Sequence, residues 1–208
     1  MVYLILSKNR YGDAYSMTEN SKVKPEILDT KEVFHGTIFD VSVDTIREGN
    51  ATYHRDVVHH PGGAGAVAVF DDMTIALVRQ YRHPAVRYLL EIPAGRIEAP
   101  ELPEDCARRE LEEEVGVLAG RIVKLAEFYT TPGFCEEKLW VYLATELTET
   151  QQALEGDELV EIERVSFSRA IEMISDGEIE DAKTIIGIML AAKVVEWDLG
   201  GDGIEEKD

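Results

Sequence analysis

Three glutamates close together in the sequence are the first candidates for chemistry. Glu110, Glu113 and Glu114 lie three and four residues apart, so on a helix their carboxylates share one face within a turn. Three like charges there repel one another unless a cation neutralises them, and carboxylate oxygens suit Mg²⁺ or Mn²⁺. The adjacent Arg109 can pair with one carboxylate and fix its rotamer. The cluster therefore predicts either a divalent-metal site or only a solvated acidic helix face.

The hydrophobic pattern around these glutamates predicts the helix that carries them. Apolar residues recur at helical intervals from Cys106 to Val115, while the charged residues fall between them. Pro103 near the start and Gly116 just past the end are typical helix boundaries. We therefore expect a helix over residues 103–115.

Short apolar runs on both sides of this helix predict the strands of a central sheet. The runs are Ala64–Phe70, Thr74–Val78, Tyr88–Ile92, Ile122–Tyr129, Leu139–Ala144 and Val160–Phe167. Two further helices are expected near Arg169–Ser175 and Ala182–Trp197. The predicted organisation is a loosely structured lead-in (residues 1–30), a small antiparallel β unit (31–60), one α/β domain (61–197) and an acidic tail (198–208).

Composition disfavours several functional classes. The 208 residues include 21 Lys and Arg against 41 Asp and Glu, a formal net charge of −20, while a hydrophobic content of 45% is enough for a core. Such an acidic surface repels nucleic-acid backbones and anionic membranes, so we expect neither as a partner. Val2–Leu6 is too short for a signal sequence, and Cys106 and Cys135 lack the spacing of a zinc site. A cytoplasmic location is expected.

The segment Gly95–Val117 resembles the signature of Nudix hydrolases, G-x5-E-x7-R-E-U-x-E-E-x-G-U, in which U is a bulky aliphatic residue. All nine specified positions are met, by Gly95, Glu101, Arg109, Glu110, Leu111, Glu113, Glu114, Gly116 and Val117. The resemblance implies an α/β/α sandwich with a mixed sheet. It also implies metal-dependent attack of water on a phosphorus of a nucleoside diphosphate joined to another group.

This resemblance assigns roles to the residues of the signature. Glu110, Glu113 and Glu114 are implied to bind the metal, with Glu113 and Arg109 also counted as catalytic residues. Glu101 is implied to have a structural role near the helix start, as a partner of Arg109 or of another neighbour.

Segments outside the signature resemble ADP-ribose and nucleoside diphosphate sugar pyrophosphatases. The resemblance implies that the Ala94 carbonyl binds the metal, that Arg82 contacts a phosphate and that Pro132 marks the ADP-ribose group. An arginine suits a phosphate because its planar fork can bridge two oxygens. Without the resemblance, Arg82 is equally interpreted as half of a surface ion pair and Pro132 as a turn residue. The similar segments are Gln80–Arg82, Glu91–Ala94, Thr131–Phe134 and Gly177–Thr184.

The general base is implied to lie on a loop after the signature rather than on the helix. Glu158 is the residue that we choose, and Asp157 and Glu155 remain open. A loop carboxylate makes chemical sense because metal-bound glutamates have their lone pairs engaged and are weaker bases.

The N-terminal β unit is implied to bind the nucleobase. In dimeric relatives this unit is exchanged between subunits and stacks the adenine on an aromatic side chain, so we predict a homodimer with Phe39 and Arg55 as base contacts. Phe34 and Tyr53 are alternatives, and a packing role is equally open for each aromatic residue.

These patterns together predict hydrolysis of ADP-ribose to AMP and ribose 5-phosphate with Mg²⁺, or with Mn²⁺. The alternative substrates are other nucleotide sugars, such as UDP-glucose or GDP-mannose. A second alternative is a Nudix module that senses a nucleotide without catalysis, and a third is an acidic helix that only mediates a protein contact. The intact glutamates disfavour the second alternative, and the third leaves Gly95, Arg109 and Gly116 unexplained.

Overall fold

The computed structural model describes residues 24–154 and 159–199, which form ten strands and three α-helices. The strands are β1 (Glu26–His35), β2 (Asp40–Glu48), β3 (Ala51–His59), β4 (Gly63–Val69), β5 (Thr74–Arg82), β6 (Arg87–Glu91), β7 (Ala94–Arg96), β8 (Val117–Tyr129), β9 (Lys138–Glu149) and β10 (Val160–Ser166). The helices are α1 (Pro103–Glu110), α2 (Phe167–Ser175) and α3 (Ala182–Leu199), with short helical turns at His83–Ala85 and Leu111–Val115.

The central sheet is mixed and splits at one end. Its strand order is β10-β5-β4-β9-β8, with β4 and β9 parallel and the other pairs antiparallel. Strands β4 and β5 pair only at Ala68–Ala76 and Val69–Ile75. On one side of this contact β7 pairs with β4, and on the other β6 pairs with β5. The divergence of β4 and β5 leaves room for a cleft between them.

Helices cover both faces of this sheet because the strand side chains alternate between two apolar clusters. Along β4, Val67 and Val69 pack with α2 and α3, whereas Ala66 and Ala68 pack with α1. The small alanines let α1 lie close to the sheet. The predicted α/β/α sandwich with a mixed sheet is therefore confirmed.

A separate antiparallel sheet of β1, β2 and β3 precedes the sandwich. It starts at Glu26, five residues before the position at which the sequence predicts order to begin. The sheet is attached through Val58, whose N–H donates to the Phe134 carbonyl (2.8 Å) and whose carbonyl accepts from Glu136 N–H (3.0 Å). Several apolar side chains of this sheet are exposed, among them Ile27, Val33, Phe34, Ile38 and Phe39.

The predicted strands and helices of the central domain all appear, with two differences. Strand β7 was not predicted, because three residues are too few to show an alternating pattern. The helix over residues 103–115 does form, but its last turn is π-helical. The predicted lead-in up to residue 23 and the tail from residue 200 lie outside the described residues. No helix in the described ranges is long and apolar enough to cross a membrane.

Candidate active site

The helix that carries the glutamates changes geometry at its end. Helix α1 begins at Pro103, and its first turn holds acidic residues, which favour a helix N-terminus. The last turn, Leu111–Val115, is π-helical, and Gly116 N–H is shared between the Glu112 and Leu111 carbonyls. Gly116 ends the turn with φ of +72°, in the left-handed region that glycine adopts without strain.

The wider π turn places the three glutamates in different surroundings. In a regular helix they would share one face, as the sequence predicts. Here Glu110 and Glu114 are buried, with exposures of 6% and 3%, whereas the Glu113 side chain is 20% exposed. Glu112, on the same turn, is exposed to solvent. Two carboxylates therefore lie inside the protein and one at its margin.

Arg109 connects three of the acidic residues. One of its terminal nitrogens, Nη1, donates to Glu110 Oε1 (2.6 Å) and to Glu113 Oε2 (2.9 Å). Its Nε and Nη2 donate to the two Glu101 oxygens at 2.9 and 3.2 Å. The hydrogen bonds that Arg109 donates to Glu101, together with the neighbouring carboxylates, raise the pKa of Arg109 further above its ordinary value. The expected pairing of Arg109 with a carboxylate and the expected partnership with Glu101 are both confirmed.

Strand β7 lies directly against the buried glutamates. Ala94 N–H donates to Glu114 Oε2 at 3.0 Å. A Cβ on Gly95 would lie 1.8 Å from Glu110 Oε1, so no other residue fits there unless that carboxylate moves. The glycine that begins the signature is therefore required by the close approach of the Glu110 side chain.

The acidic cluster fits a hard divalent cation by its chemistry. Carboxylate oxygens from one helix are the ligands that Mg²⁺ and Mn²⁺ prefer, and Arg109 already supplies positive charge to Glu110 and Glu113. As placed, no three His, Cys, Asp or Glu side chains of the described chain converge on one point in the manner of a metal site. The donor set therefore agrees with the metal dependence that the resemblance to Nudix hydrolases implies.

A central cleft of about 540 Å³ opens beside β7, where β4 and β5 diverge. Ala94 and Gly95 form part of its wall, and the same two residues lie against the buried carboxylates of Glu114 and Glu110. Charged side chains of β5, β6 and α3 form another wall, and aromatic side chains of β8 and β9 a third. The lining of the cleft includes Arg82, Glu91, Ala94, Gly95, Trp140 and Lys183.

A buried ionic network lies in the charged wall. Arg82 donates to both oxygens of Glu91 at 2.6 and 2.7 Å, and Lys183 contacts Glu91 and also Asp181 (3.1 Å). Glu91 is 1% exposed. Burial alone would raise the pKa of Glu91, but hydrogen bonds and charges from Arg82 and Lys183 outweigh it and lower the pKa to about 2.

This network changes the interpretation of Arg82. The arginine lines the cleft, as a phosphate-binding residue would, but two of its five N–H groups are used by Glu91. The sequence patterns do not single out Glu91, Lys183 or Asp181 as site residues. A lone glutamate between Leu90 and Ile92 was the available signal, because a charge within an apolar strand requires a buried partner.

The predicted nucleobase contacts lie outside the central cleft. Phe39 lines a second hollow of about 420 Å³, which shares His60 and Arg96 with the cleft. Arg55 stacks over the Tyr53 ring at 4.3 Å on β3 and is not among the described residues that line either cavity. Pro132 is exposed in the turn that is hydrogen-bonded to β3.

The predicted general base cannot be placed. Glu158 and its alternatives Asp157 and Glu155 lie outside the described residues. The chain that leads to them is attached to the end of the signature helix, because Ala153 N–H donates to the Glu113 carbonyl at 3.0 Å.

A comparison with known protein families agrees with this arrangement of the helix glutamates, Arg109 and Gly95. The NUDIX domain model matches residues 59–186. The chain belongs to the Nudix family. The Nudix domain thus starts at the last residue of β3 and spans the central sandwich as far as Ile186, so most of α3 lies beyond the matched range. This confirms the resemblance and identifies the protein as a Nudix hydrolase.

Individual relatives agree with this assignment. The Nudix chain is 40% identical over 161 residues to "ADP-ribose pyrophosphatase" of Bacillus subtilis (strain 168), covering 76% of this chain and 87% of the relative. It is 33% identical over 177 residues to "GDP-mannose pyrophosphatase" of Escherichia coli O1:K1 / APEC, covering 79% and 90%. The solved structure of an "ADP compounds hydrolase" superposes with a TM-score of 0.72 at 23% identity, covering 86% and 97%. That structural similarity supports the assignment of the fold.

Proposed function

We propose that this Nudix hydrolase cleaves the pyrophosphate bond of ADP-ribose, giving AMP and ribose 5-phosphate. The observation that carries the proposal is that Ala94 and Gly95, which line the central cleft, lie directly against the buried Glu114 and Glu110 carboxylates. A pyrophosphate in that cleft would lie against the backbone of Ala94 and Gly95. The relative named ADP-ribose pyrophosphatase supports this choice of substrate.

We propose four protein ligands for the metal ion. Glu110, Glu113 and Glu114 would hold Mg²⁺, or Mn²⁺, together with the Ala94 carbonyl. When bound, the ion would offset the charge of the phosphates and lower the pKa of a coordinated water. Arg109 fixes the rotamers of Glu110 and Glu113 through its Nη1, and Ala94 N–H orients Glu114.

The charged wall of the cleft would bind the substrate phosphates. Arg82 keeps N–H groups beyond the two that Glu91 accepts, and Lys183 lies beside it. Glu91 holds both cations in place, and Glu91 and Asp181 together balance the two positive charges of Arg82 and Lys183. The N–H groups of Arg82 and Lys183 that remain unused would therefore donate to phosphate oxygens, without a strong net charge that would trap the product.

The proposed general base is a carboxylate within residues 155–158, and Glu158 is the residue that we choose. It would take a proton from the attacking water as the water oxygen bonds to phosphorus, and the bridging P–O bond would break to release a phosphate monoester. The hydrogen bond from Ala153 to the Glu113 carbonyl supports this, because it holds the preceding chain against the glutamates.

The nucleoside end of the substrate is proposed to extend toward the N-terminal sheet. The hollow beside Phe39 adjoins the central cleft through His60 and Arg96, which supports an aromatic contact there. Arg55 and Pro132 are proposed contacts only in a homodimer, in which the N-terminal sheet of a second copy contributes to the site. The exposed apolar side chains of β1 and the β1–β2 turn support that dimer, since a sheet normally buries an apolar face. Cytoplasmic location stays a prediction.

Another nucleotide sugar, GDP-mannose above all, is the alternative substrate. It is favoured by the relative named GDP-mannose pyrophosphatase. A sensing module without catalysis is disfavoured by the intact glutamates and by their contacts with Arg109 and β7.

The test is metal-dependent product release. Protein stripped with EDTA is incubated with ADP-ribose, and AMP and ribose 5-phosphate are resolved by chromatography before and after addition of Mg²⁺ or Mn²⁺. We expect products in a one-to-one ratio only after the metal is added. Turnover that is unchanged by EDTA, or AMP with free ribose and inorganic phosphate as primary products, would overturn the proposal.

A further inference from the structure

We infer that Gln152 is a positioning residue, which holds the π-helical turn so that Glu114 presents its carboxylate to the metal. The inference rests on the proposed function, because that function assigns the metal to Glu114. The observation behind it is a group of hydrogen bonds between residues 150–153 and the end of the helix.

The end of the π turn has backbone carbonyls that the helix itself does not satisfy. Thr150 N–H donates to the Gly116 carbonyl at 2.7 Å, and Ala153 N–H donates to the Glu113 carbonyl at 3.0 Å. The Gln152 side chain supplies the third bond, from Nε2 to the Glu114 carbonyl at 2.7 Å. Residues 150–153 therefore cap the turn with partners distant in sequence.

The approach of this segment is close. A Cβ on Gly116 would lie 2.8 Å from Gln152 N and 3.0 Å from the Thr150 carbonyl oxygen. Residues 150–152 therefore pack tightly against Gly116, and the Gln152 side chain reaches the helix from a fixed backbone position.

Glu114 is held at two points as a result. Its carboxylate accepts from Ala94 N–H on β7 (3.0 Å), and its carbonyl accepts from Gln152 Nε2 (2.7 Å). A π turn is rare and occurs mostly at functional sites. Because an α-helical last turn would rotate Glu114 relative to Glu110, loss of the Gln152 bond is expected to loosen the ligand geometry.

The experiment uses a side chain of equal length without an N–H donor. Gln152→Met keeps the size of the side chain and removes the bond, and Gln151→Met is the matched control, since Gln151 is also exposed and its side chain makes no hydrogen bond among the described residues. Full-length wild-type and variant proteins are titrated with Mn²⁺ by electron paramagnetic resonance. Urea unfolding of the metal-free proteins checks that each variant folds.

We expect Gln152→Met to bind Mn²⁺ about fivefold more weakly than wild type, the factor that corresponds to loss of one ordinary hydrogen bond. The apparent Mg²⁺ concentration for half-maximal activity should rise by a similar factor, with kcat at saturating Mg²⁺ recovering and KM for the nucleotide unchanged. Gln151→Met should match wild type in every assay.

The outcomes separate this inference from the proposed function. Mn²⁺ binding by wild type, with unchanged affinity in Gln152→Met, would overturn the positioning role alone. Absence of Mn²⁺ binding by wild type would overturn the metal site and with it the inference. A KM change without a metal-affinity change would also contradict it, because that would place Gln152 at the substrate.

Discussion

Ala94 N–H donates a hydrogen bond of 3.0 Å to the Glu114 carboxylate, across the interface between strand β7 and the helix end. This bond connects the wall of the central cleft to a buried acidic side chain. A ligand bound to Glu114 would therefore lie next to the backbone that any molecule in the cleft contacts.

The charge of Glu114 is expected to be essential for catalysis. Glu114→Gln keeps the shape of the side chain but removes a charged ligand, so kcat should fall by at least about 10²-fold. Glu112→Gln is the control, since Glu112 is exposed on the same turn and should retain the wild-type rate. Steady-state kinetics with Mg²⁺ check this, and a near wild-type rate for Glu114→Gln would remove Glu114 from the metal site.

Gly95→Ala should disable the site although the substitution replaces no ionisable residue. Its Cβ would lie 1.8 Å from Glu110 Oε1, which forces that carboxylate to move. Since displacement of a catalytic group by about 1 Å can cost about 10²-fold in rate, we expect a kcat loss of that order. Gly133→Ala, where no heavy atom lies within 4 Å of the added carbon, serves as the comparison. Equal kinetics for the two variants would contradict the close approach.

The buried network around Glu91 should dominate the acid sensitivity of folding. Its pKa is lowered from the ordinary 4.5 to about 2, so its stabilising contribution is complete above about pH 4.5 and is lost as the pH falls toward about 2. Glu91→Gln leaves Arg82 without its buried counter-ion and should cost about 3 kcal/mol at neutral pH. Urea unfolding across this pH range measures both effects.

The half-exposed pair of Arg79 and Glu163 provides the matched comparison for that experiment. Its Nε–Oε1 distance is 2.5 Å, similar to that of Arg82 and Glu91, but both side chains are about one-third exposed. Glu163→Gln should therefore cost less than about 1 kcal/mol. Equal destabilisation by Glu163→Gln and Glu91→Gln would show that burial does not set the strength of the Glu91 network.

The loop base is tested by separating rate from metal affinity. Glu158→Gln should lower kcat strongly, because no carboxylate would accept the proton of the attacking water, while Mn²⁺ affinity should stay within about twofold of wild type. Glu155→Gln and Asp157→Asn are measured in parallel. Retained activity in Glu158→Gln with loss in one neighbour would transfer the role to that neighbour.

The N-terminal sheet should form the dimer interface. Phe34 is 53% exposed on β1 among other apolar side chains, so Phe34→Asp should shift the mass measured by light scattering from dimer toward monomer. Leu118→Asp changes a comparably exposed apolar residue on β8 and should leave the mass unchanged. A monomeric wild-type mass would contradict the proposed dimer.

Local contacts could be predicted from the sequence, whereas contacts made by distant segments could not. Arg109 and Glu101 lie eight residues apart, and their pairing follows from spacing and charge. The bond between Lys183 and Glu91 joins residues 92 positions apart, and only the packing of α3 against β6 brings them together. The π turn is a second example of a contact between distant segments, because the Glu114 carbonyl accepts from Gln152, 38 residues further along the chain. The hydrophobic periodicity of the sequence indicates only a helix at this position.

The measurement that tests the central claim most directly is a competition among substrates. Equal concentrations of ADP-ribose, GDP-mannose and UDP-glucose are mixed with the Mg²⁺-loaded protein, and the loss of each compound is followed by chromatography in a single reaction, with Glu114→Gln as the inactive control. We predict that ADP-ribose disappears first, with AMP and ribose 5-phosphate formed in equal amounts. Faster loss of GDP-mannose or UDP-glucose would contradict the substrate assignment, and loss of none of them would contradict the enzyme.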